Sequence, residues 1–414
     1  MIKRLHMVTN GRVIGYLDEI RGGALELVTP PLEDTARVSL AFAPSTKPVQ
    51  RRKARAYIEG LLPDSEDARR AIATQFHVSA NNPFALLSVI GRDCPGAIQF
   101  LSDEVMADLG AGGLEPVSEQ DIGQRIRALR ENSDQPWLGG HEHWSLAGAQ
   151  SKFTLRRKDE RWFVAHGAEP TTHIVKPGVR GLNKQALIEH VSLRTFQILG
   201  MPTAPSQYML FDGEPAIVVA RFDRVPTPDG QLLRAHQEDL CQATSTLPGA
   251  KYNVTAKDVV ELLTLHGASG MDIITFVRSV LANWLIGAPD GHAKNYSVLL
   301  TPDDVALAPL YDVSTGLGYG ADWPKVAMGI GGEKEFSRIR RHHVEKFAAD
   351  LLGEALVDDV LEMAIQTARA IPDAFRIACD EVPVDPEGAA QLERTRRDVG
   401  AHCSRALAVL TGPA

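Results

Sequence analysis

The sequence predicts an α+β chain, β-rich in its N-terminal part and mostly helical in its C-terminal part. Three observations carry that reading. Short apolar runs separated by Gly, Asn, Asp and Pro recur through residues 3–45 and 153–222. Beyond Thr255, apolar residues recur at helical spacing. At 414 residues the chain exceeds one typical domain, so two or three units are expected, at 1–105, 106–240 and 241–414.

Taken in order, 3–9 and 12–17 should pair across Asn10-Gly11, a strong hairpin signal. Strands are expected at 24–28 and 38–43, then helices at 49–62, 65–76, 83–91 and 119–130. This first unit carries no catalytic constellation, so its expected role is scaffold or partner docking. His141-Glu142-His143 reads as surface residues, because zinc sites use other spacings. Strands follow at 153–155, 161–164, 172–176, 207–211 and 216–222, with a helix at 184–199 between them. The segment 232–242 joins this part to the helical one. There Thr255 and Asp258 resemble a capping box, and apolar helix 272–286 precedes two strand-like runs, 296–300 and 305–311. Periodic helices at 342–369 and 386–411 close the chain.

Composition excludes several classes. Hydrophobic content of 44% and charged content of 23% are ordinary for a globular protein. A net charge of −8 argues against nucleic-acid binding by the chain as a whole, and Arg51–Arg55 reads as a solvated helix face. No apolar run reaches the ~20 residues needed to cross a bilayer, so no membrane association is expected. The N-terminus lacks a secretory pattern, and Cys94, Cys241, Cys379 and Cys403 are scattered, which fits a reducing cytoplasm.

The chemistry concentrates in Gly287–Asp312. Asp290 precedes Asn295 by five positions, a hairpin turns through Thr301-Pro302-Asp303-Asp304, and Asp312 follows. Protein kinases space a catalytic Asp and a metal-binding Asn in this way and hold metal with a later Asp. Read alone, Asp290-Gly291 is equally a turn, and Asp312 a helix cap. Upstream, Ser145–Lys152 is a run of small residues that includes Ala147, Gly148, Ala149 and Gln150. Such residues let backbone N–H groups approach phosphate, although a plain hairpin turn fits as well. Lys176 ends an apolar strand, where kinases keep the lysine that neutralises nucleotide phosphates, or where an edge strand exposes one. Glu189 stands where a kinase helix places the partner of that lysine, with the helix dipole as the alternative account. Gln237, Glu238 and Leu240 occupy the linker that gives adenine its backbone hydrogen bonds. Each signal is weak, but together they follow the order of parts in a bilobal protein-kinase-like phosphotransferase, with phosphate loop and nucleotide lysine in 106–240 and catalytic and metal loops in 241–414.

At these residues the sequence resembles a known family, the HipA-like serine/threonine kinases, toxins of bacterial toxin–antitoxin pairs. The resemblance covers nearly the whole chain. It runs through Asn82–Leu87, Asp93–Ala97, Ser145–Gln150, Thr172–Lys176, Arg221–Arg224, Gln237–Gln242, Asp290–Asn295 and Tyr311-Asp312. It implies an ATP- and Mg²⁺-dependent kinase in which Asp290 takes the proton of the substrate hydroxyl and Asn295 and Asp312 hold Mg²⁺. Lys176 contacts the nucleotide phosphates, as Lys152 in the loop is placed to do, and Glu189 positions Lys176. His292 and Lys294 stabilise charge during transfer. Ser145 matches the serine whose autophosphorylation switches members off. The implied partners are a small helix-turn-helix antitoxin of the HipB type, operator DNA through that antitoxin, and an aminoacyl-tRNA synthetase as substrate, glutamyl-tRNA synthetase foremost. Modifying it would inhibit translation and cause growth arrest or persistence. One departure stands out: Ser151 occupies a position where members carry Glu, so Ser145 or Ser151 is the self-modified residue. Two other readings stay open, a small-molecule phosphotransferase of the same fold and a co-repressor that chiefly binds a DNA-binding antitoxin.

Overall fold

The computed structural model describes residues 3–35, 37–107, 112–131, 142–167, 169–320 and 325–412. The α+β class holds. Two compact units form, each gathered from distant segments: residues 1–177, 209–251 and 297–308 in the first, 178–208, 252–296 and 309–414 in the second.

The first unit is built on sheets. Lys3–Thr9 and Arg12–Glu19 pair antiparallel, with Thr9 opposite Arg12 across Asn10 and Gly11. Both turn residues have positive φ, 44° and 82°, as a two-residue turn that follows the strand twist requires. Leu25–Val28 and Ile98–Leu101 complete a four-stranded antiparallel sheet. The second sheet runs in the order Gly113–Pro116, Arg161–His166, Phe153–Lys158, His173–Lys176, Glu214–Ala220 and Ser206–Phe211. One hydrophobic core joins the two, from Leu5, Leu17 and Phe100 through Tyr57 and Phe84 to Phe153, Val175 and Phe211. Helices Arg51–Gly60, Glu66–Phe76 and Pro83–Ile90 supply its middle, the last two capped by Ser65 and Asn82. The joining segment 232–242 is ordered: it forms the strands Leu232–Arg234 and His236–Asp239, the latter pairing with Ser297–Leu300, and enters the helix Leu240–Ala243.

The strand expected at 38–43 does not form. Its backbone groups go to side chains instead of a neighbouring ladder: the Leu40 N–H donates to Glu238 at 2.6 Å, and the Ala41 carbonyl accepts from Lys53 Nζ at 2.6 Å. The run 305–311 is strand only over Val305–Leu307, because Pro309 offers no N–H to extend the ladder. The helix expected at 342–369 is two, Arg341–Leu352 and Val357–Asp380, broken at Gly353 with φ of 89°. His141 lies outside the described residues. Glu142 is fully buried and paired with Arg125 at 2.6 Å, not on the surface, and His143 bonds the Val89 carbonyl.

The second unit packs around the helix Gly270–Ile286. A capping box of Ser269 and Asp272 starts it, and left-handed Gly287 stops it. From Val280 to Ile286 every residue is buried, and all but Asn283, whose amide donates to the Tyr296 hydroxyl, are apolar; the helix packs against Val357–Asp380 and Pro386–Thr411. Cys403 and His402 of the latter bond the carbonyls of Leu285 and Trp284, fixing the end of the helix from which Asp290 follows. Among the described residues no helix is long and apolar enough to cross a membrane.

A buried ionic network ties the first unit together. Asp93 meets Arg224 at 2.7 Å, Arg221 at 3.1 Å and Arg234 at 3.4 Å, and Asp223 meets Arg221 and Arg224 at 2.9 Å each. Burial by itself would raise the pKa of Asp93, but the three guanidiniums outweigh it and hold the carboxyl well below its ordinary range. Replacing Asp93 by Asn should therefore cost about 3–5 kcal/mol, read as a lower urea midpoint, because buried guanidiniums lose a counter-charge. A depressed folded pKa stabilises above the unfolded value. The gap between wild type and Asp93→Asn should thus be full above about pH 4 and close only as pH falls toward Asp93's depressed range.

Candidate active site

In the first unit the small-residue loop is fastened at both ends. The Ser145 N–H donates to the Asp93 carbonyl at 3.1 Å, and the Ser145 hydroxyl donates to the Leu61 carbonyl at 2.5 Å. Three residues on, the Gly148 carbonyl accepts the Asp64 N–H at 3.1 Å. Gly148 has φ of 100°, and a Cβ there would sit 2.7 Å from Lys152 Nζ. The loop thus needs glycine where its backbone approaches a buried ammonium. A positive φ of this size is open chiefly to glycine.

Lys176 is buried and lies on a strand flanked on both sides, Ile217 standing opposite it, so the edge-strand account fails. Further along this unit, Gln237 and Glu238 lie on His236–Asp239, and Leu240 opens the short helix Leu240–Ala243. The Glu238 side chain points inward. Burial pushes its carboxyl up to about 8, although the Leu40 N–H and the Ser39 hydroxyl oppose that rise.

The second unit holds the other group of residues. After Gly287 the chain makes no long regular element, only the short turn Ala293–Asn295. Its order comes from side chain to backbone bonds. Asn295 Nδ2 donates to the Asp290 carbonyl at 2.7 Å, and the Tyr311 hydroxyl donates to the Lys294 carbonyl at 2.9 Å. His292, Lys294 and Asn295 are buried, while the Asp290 side chain is 58% exposed. Asn295 uses its N–H₂ inside the loop, which leaves its carbonyl oxygen as the group that can ligate. Asp312 sits at φ of 59°, a left-handed conformation that Asp tolerates and that recurs at functional sites. Glu189 is buried in the second turn of Gln185–Ile198 and accepts from Gln185 Nε2 at 3.2 Å. The dipole account required the first turn, so it falls away.

The Asp290 carboxylate is thus exposed on a loop that Asn295 braces, and Asp312 follows that loop along the chain. A model described as the HipA-like C-terminal domain matches residues 144–375, and one described as the HipA N-terminal domain matches residues 5–101. The chain belongs to the HipA-like kinase family. The putative kinase Y4mE of Sinorhizobium fredii is 30% identical over 406 residues, 93% of this chain and 96% of that protein. The serine/threonine-protein kinase toxin HipA of Shewanella oneidensis is 28% identical over 373 residues, 85% of this chain and 83% of that one. Among solved structures, the toxin–antitoxin complex of Shewanella oneidensis HipA, HipB and operator DNA matches with a TM-score of 0.86 at 25% identity, over 98% of both chains. This HipA-like chain is a kinase, and its chemistry is nucleotide-dependent phosphoryl transfer.

Two residues of this HipA-like kinase escaped the sequence reading. Tyr311 was noted only as the neighbour of Asp312. Tyr252, whose hydroxyl donates to Asp290 Oδ1 at 2.5 Å, stands 38 positions upstream, where no spacing rule leads to it. The seat of Ser145 generates a prediction. Ser145→Asp would press a buried carboxylate against the Leu61 carbonyl and should open the loop, seen as much faster amide exchange over 144–152. Ser145→Ala, losing one neutral hydrogen bond, should cost about 1 kcal/mol and leave exchange nearly unchanged.

Proposed function

We propose that this chain is the toxin of a toxin–antitoxin pair and transfers the γ-phosphoryl group of ATP to a serine or threonine of a protein. The observation that carries the reading is the loop Asp290–Asn295, where Asn295 holds the Asp290 carbonyl while the Asp290 carboxylate stays exposed. Asp290 would accept the proton of the acceptor hydroxyl. Lys176 and the loop Ala147–Lys152 would bind the phosphates, and Glu189 would position Lys176. The backbone of Gln237–Leu240 would hold adenine. His292 and Lys294 would offset charge that develops in transfer.

Mg²⁺ fits the donor set. The Asn295 amide oxygen and the Asp312 carboxylate are hard oxygen ligands, and Mg²⁺ typically takes one or two carboxylates plus phosphates and water. When bound, it neutralises charge on the transferring phosphoryl group. Among the described residues there is no cluster of three or more His, Cys, Asp or Glu placed to hold a metal ion.

The relatives and the regulatory residues support the rest of the reading. A HipB-like helix-turn-helix antitoxin is the proposed partner, with operator DNA reached through it, since this chain carries a net charge of −8. The proposed target is an aminoacyl-tRNA synthetase, glutamyl-tRNA synthetase foremost, modified in the cytoplasm to arrest growth. Autophosphorylation of Ser145 would be the off switch: its hydroxyl is wholly buried, so the phosphorylated form must leave that seat. Asp290→Asn should bind ATP as wild type does and lose at least about a hundredfold in transfer. Phosphoproteomics after brief induction of each should show labelled synthetase and growth arrest with the wild type only. Transfer by Asp290→Asn at the wild-type rate would sink the mechanism, and labelling of a sugar or antibiotic without protein would redirect the substrate class.

A further inference from the structure

Asp290 accepts one hydrogen bond that no motif residue provides, from the Tyr252 hydroxyl to Oδ1 at 2.5 Å. Tyr252 lies between the turn Pro248–Ala250 and the helix Ala256–Leu265. Its ring stands edge-on to the buried His292 imidazole, the centroids 5.0 Å apart at 78°. Its carbonyl accepts from Lys334 Nζ at 3.3 Å. The side chain and the main chain of Tyr252 are thus each held, and the hydroxyl is a directed donor. Burial, and then the bond to Asp290, raise its pKa above the ordinary tyrosine value, so it keeps its proton near neutral pH.

We propose that Tyr252 is a positioning residue for phosphoryl transfer, holding Oδ1 of Asp290 so that Oδ2 is presented to the acceptor hydroxyl. The proposal rests on Asp290 as the base. A carboxylate's terminal torsion is broad, and the Asp290 side chain is more than half exposed, so packing alone does not fix its plane. A short hydrogen bond to an ionised oxygen is among the stronger ways to do so. Transfer is sensitive to that plane, because a misplacement of about 1 Å can cost about a hundredfold. In the step itself the acceptor O–H bond breaks and its proton passes to Oδ2. The acceptor oxygen bonds the γ-phosphorus as the bond to the ADP oxygen breaks, and Tyr252 retains its own proton.

Tyr252→Phe keeps the ring against His292 and removes only the hydroxyl. With the full-length protein, transfer from γ-labelled ATP into a dephosphorylated bacterial extract is measured at limiting and at saturating extract. The saturated rate should fall about tenfold or more, with ATP affinity and melting temperature unchanged. Placed in Asp290→Asn, the same substitution should change the residual rate less than twofold, because the hydroxyl acts through that carboxylate. An unchanged saturated rate overturns the proposal. So does a rise in the limiting rate, which would mean that the hydroxyl occupies the acceptor's place, or an equal fold-loss in both backgrounds. If Asp290→Asn alone transfers normally, or the wild type labels no protein, the reading of Asp290 as base falls and the proposal with it. If Asp290→Asn is impaired and Tyr252→Phe is not, only the proposal falls.

Discussion

Asp93 is the residue on which the first unit turns. Its carboxylate is the shared counter-charge of Arg221, Arg224 and Arg234, and it also accepts the Thr171 hydroxyl at 2.6 Å. Burying such groups costs several kcal/mol per ion unless geometry and hydrogen bonds answer it. Here they do, with Arg221 and Arg224 adding bonds to the Cys94 carbonyl. The same short stretch also sets functional backbone. The Asp93 carbonyl seats Ser145, and Gly96 donates to Asp223 at 2.7 Å. Gly96 has φ of 82°, and a Cβ there would lie 2.7 Å from the Gln237 carbonyl oxygen. Asp93–Gly96 therefore governs both the small-residue loop and the strand His236–Asp239. A buried charge network of this kind is weak evidence for stability, but removing one partner leaves an uncompensated buried charge.

The second unit solves the opposite problem. Its loop Asp290–Asn295 carries an exposed carboxylate, so it is not held by burial of that group. Order comes instead from neutral donors aimed at carbonyls: Asn295 at Asp290, Tyr311 at Lys294 and Thr315 at Ile286, at 2.6–2.9 Å. The Thr315 N–H in turn donates to Ser192 at 3.2 Å, tying the stretch after Asp312 to the helix that carries Glu189. These neutral bonds fix the loop backbone, while His292, 3.6 Å from Asp290, and buried Lys294 lie in the same loop.

Most of the fold was legible, because much of it follows local rules. Asn10-Gly11, the box at Thr255 and Asp258, and the apolar helix before Gly287 are set by turn chemistry, capping and periodicity. They form nearly where those rules place them. The family was legible for a different reason, since a resemblance carried by short motifs survives without knowledge of packing. What stayed hidden depends on long-range bonds between side chains and backbone. Leu40 and Ala41 look like strand residues until Glu238 and Lys53 take their backbone groups. Glu142 looks like surface until Arg125 reaches it, and Tyr252 has no signature because its partner lies far along the chain. Composition and periodicity carry no record of such contacts.

The two loop serines differ in burial, and that difference sets what phosphorylation of each would do. Ser145 is wholly buried with its hydroxyl donated to a carbonyl, whereas Ser151 is partly exposed. A phosphate carries nearly two negative charges at neutral pH and only acceptor oxygens. On Ser151 those oxygens can turn to water with the loop in place. On Ser145 they would face the Leu61 carbonyl, acceptor against acceptor, with no solvent to screen them. Only at Ser145 is modification incompatible with the folded loop, and incompatibility is what makes a two-state device. Were Ser145 the modified residue, its hydroxyl would have to leave the Leu61 carbonyl first, so opening of the loop 145–152 would precede modification.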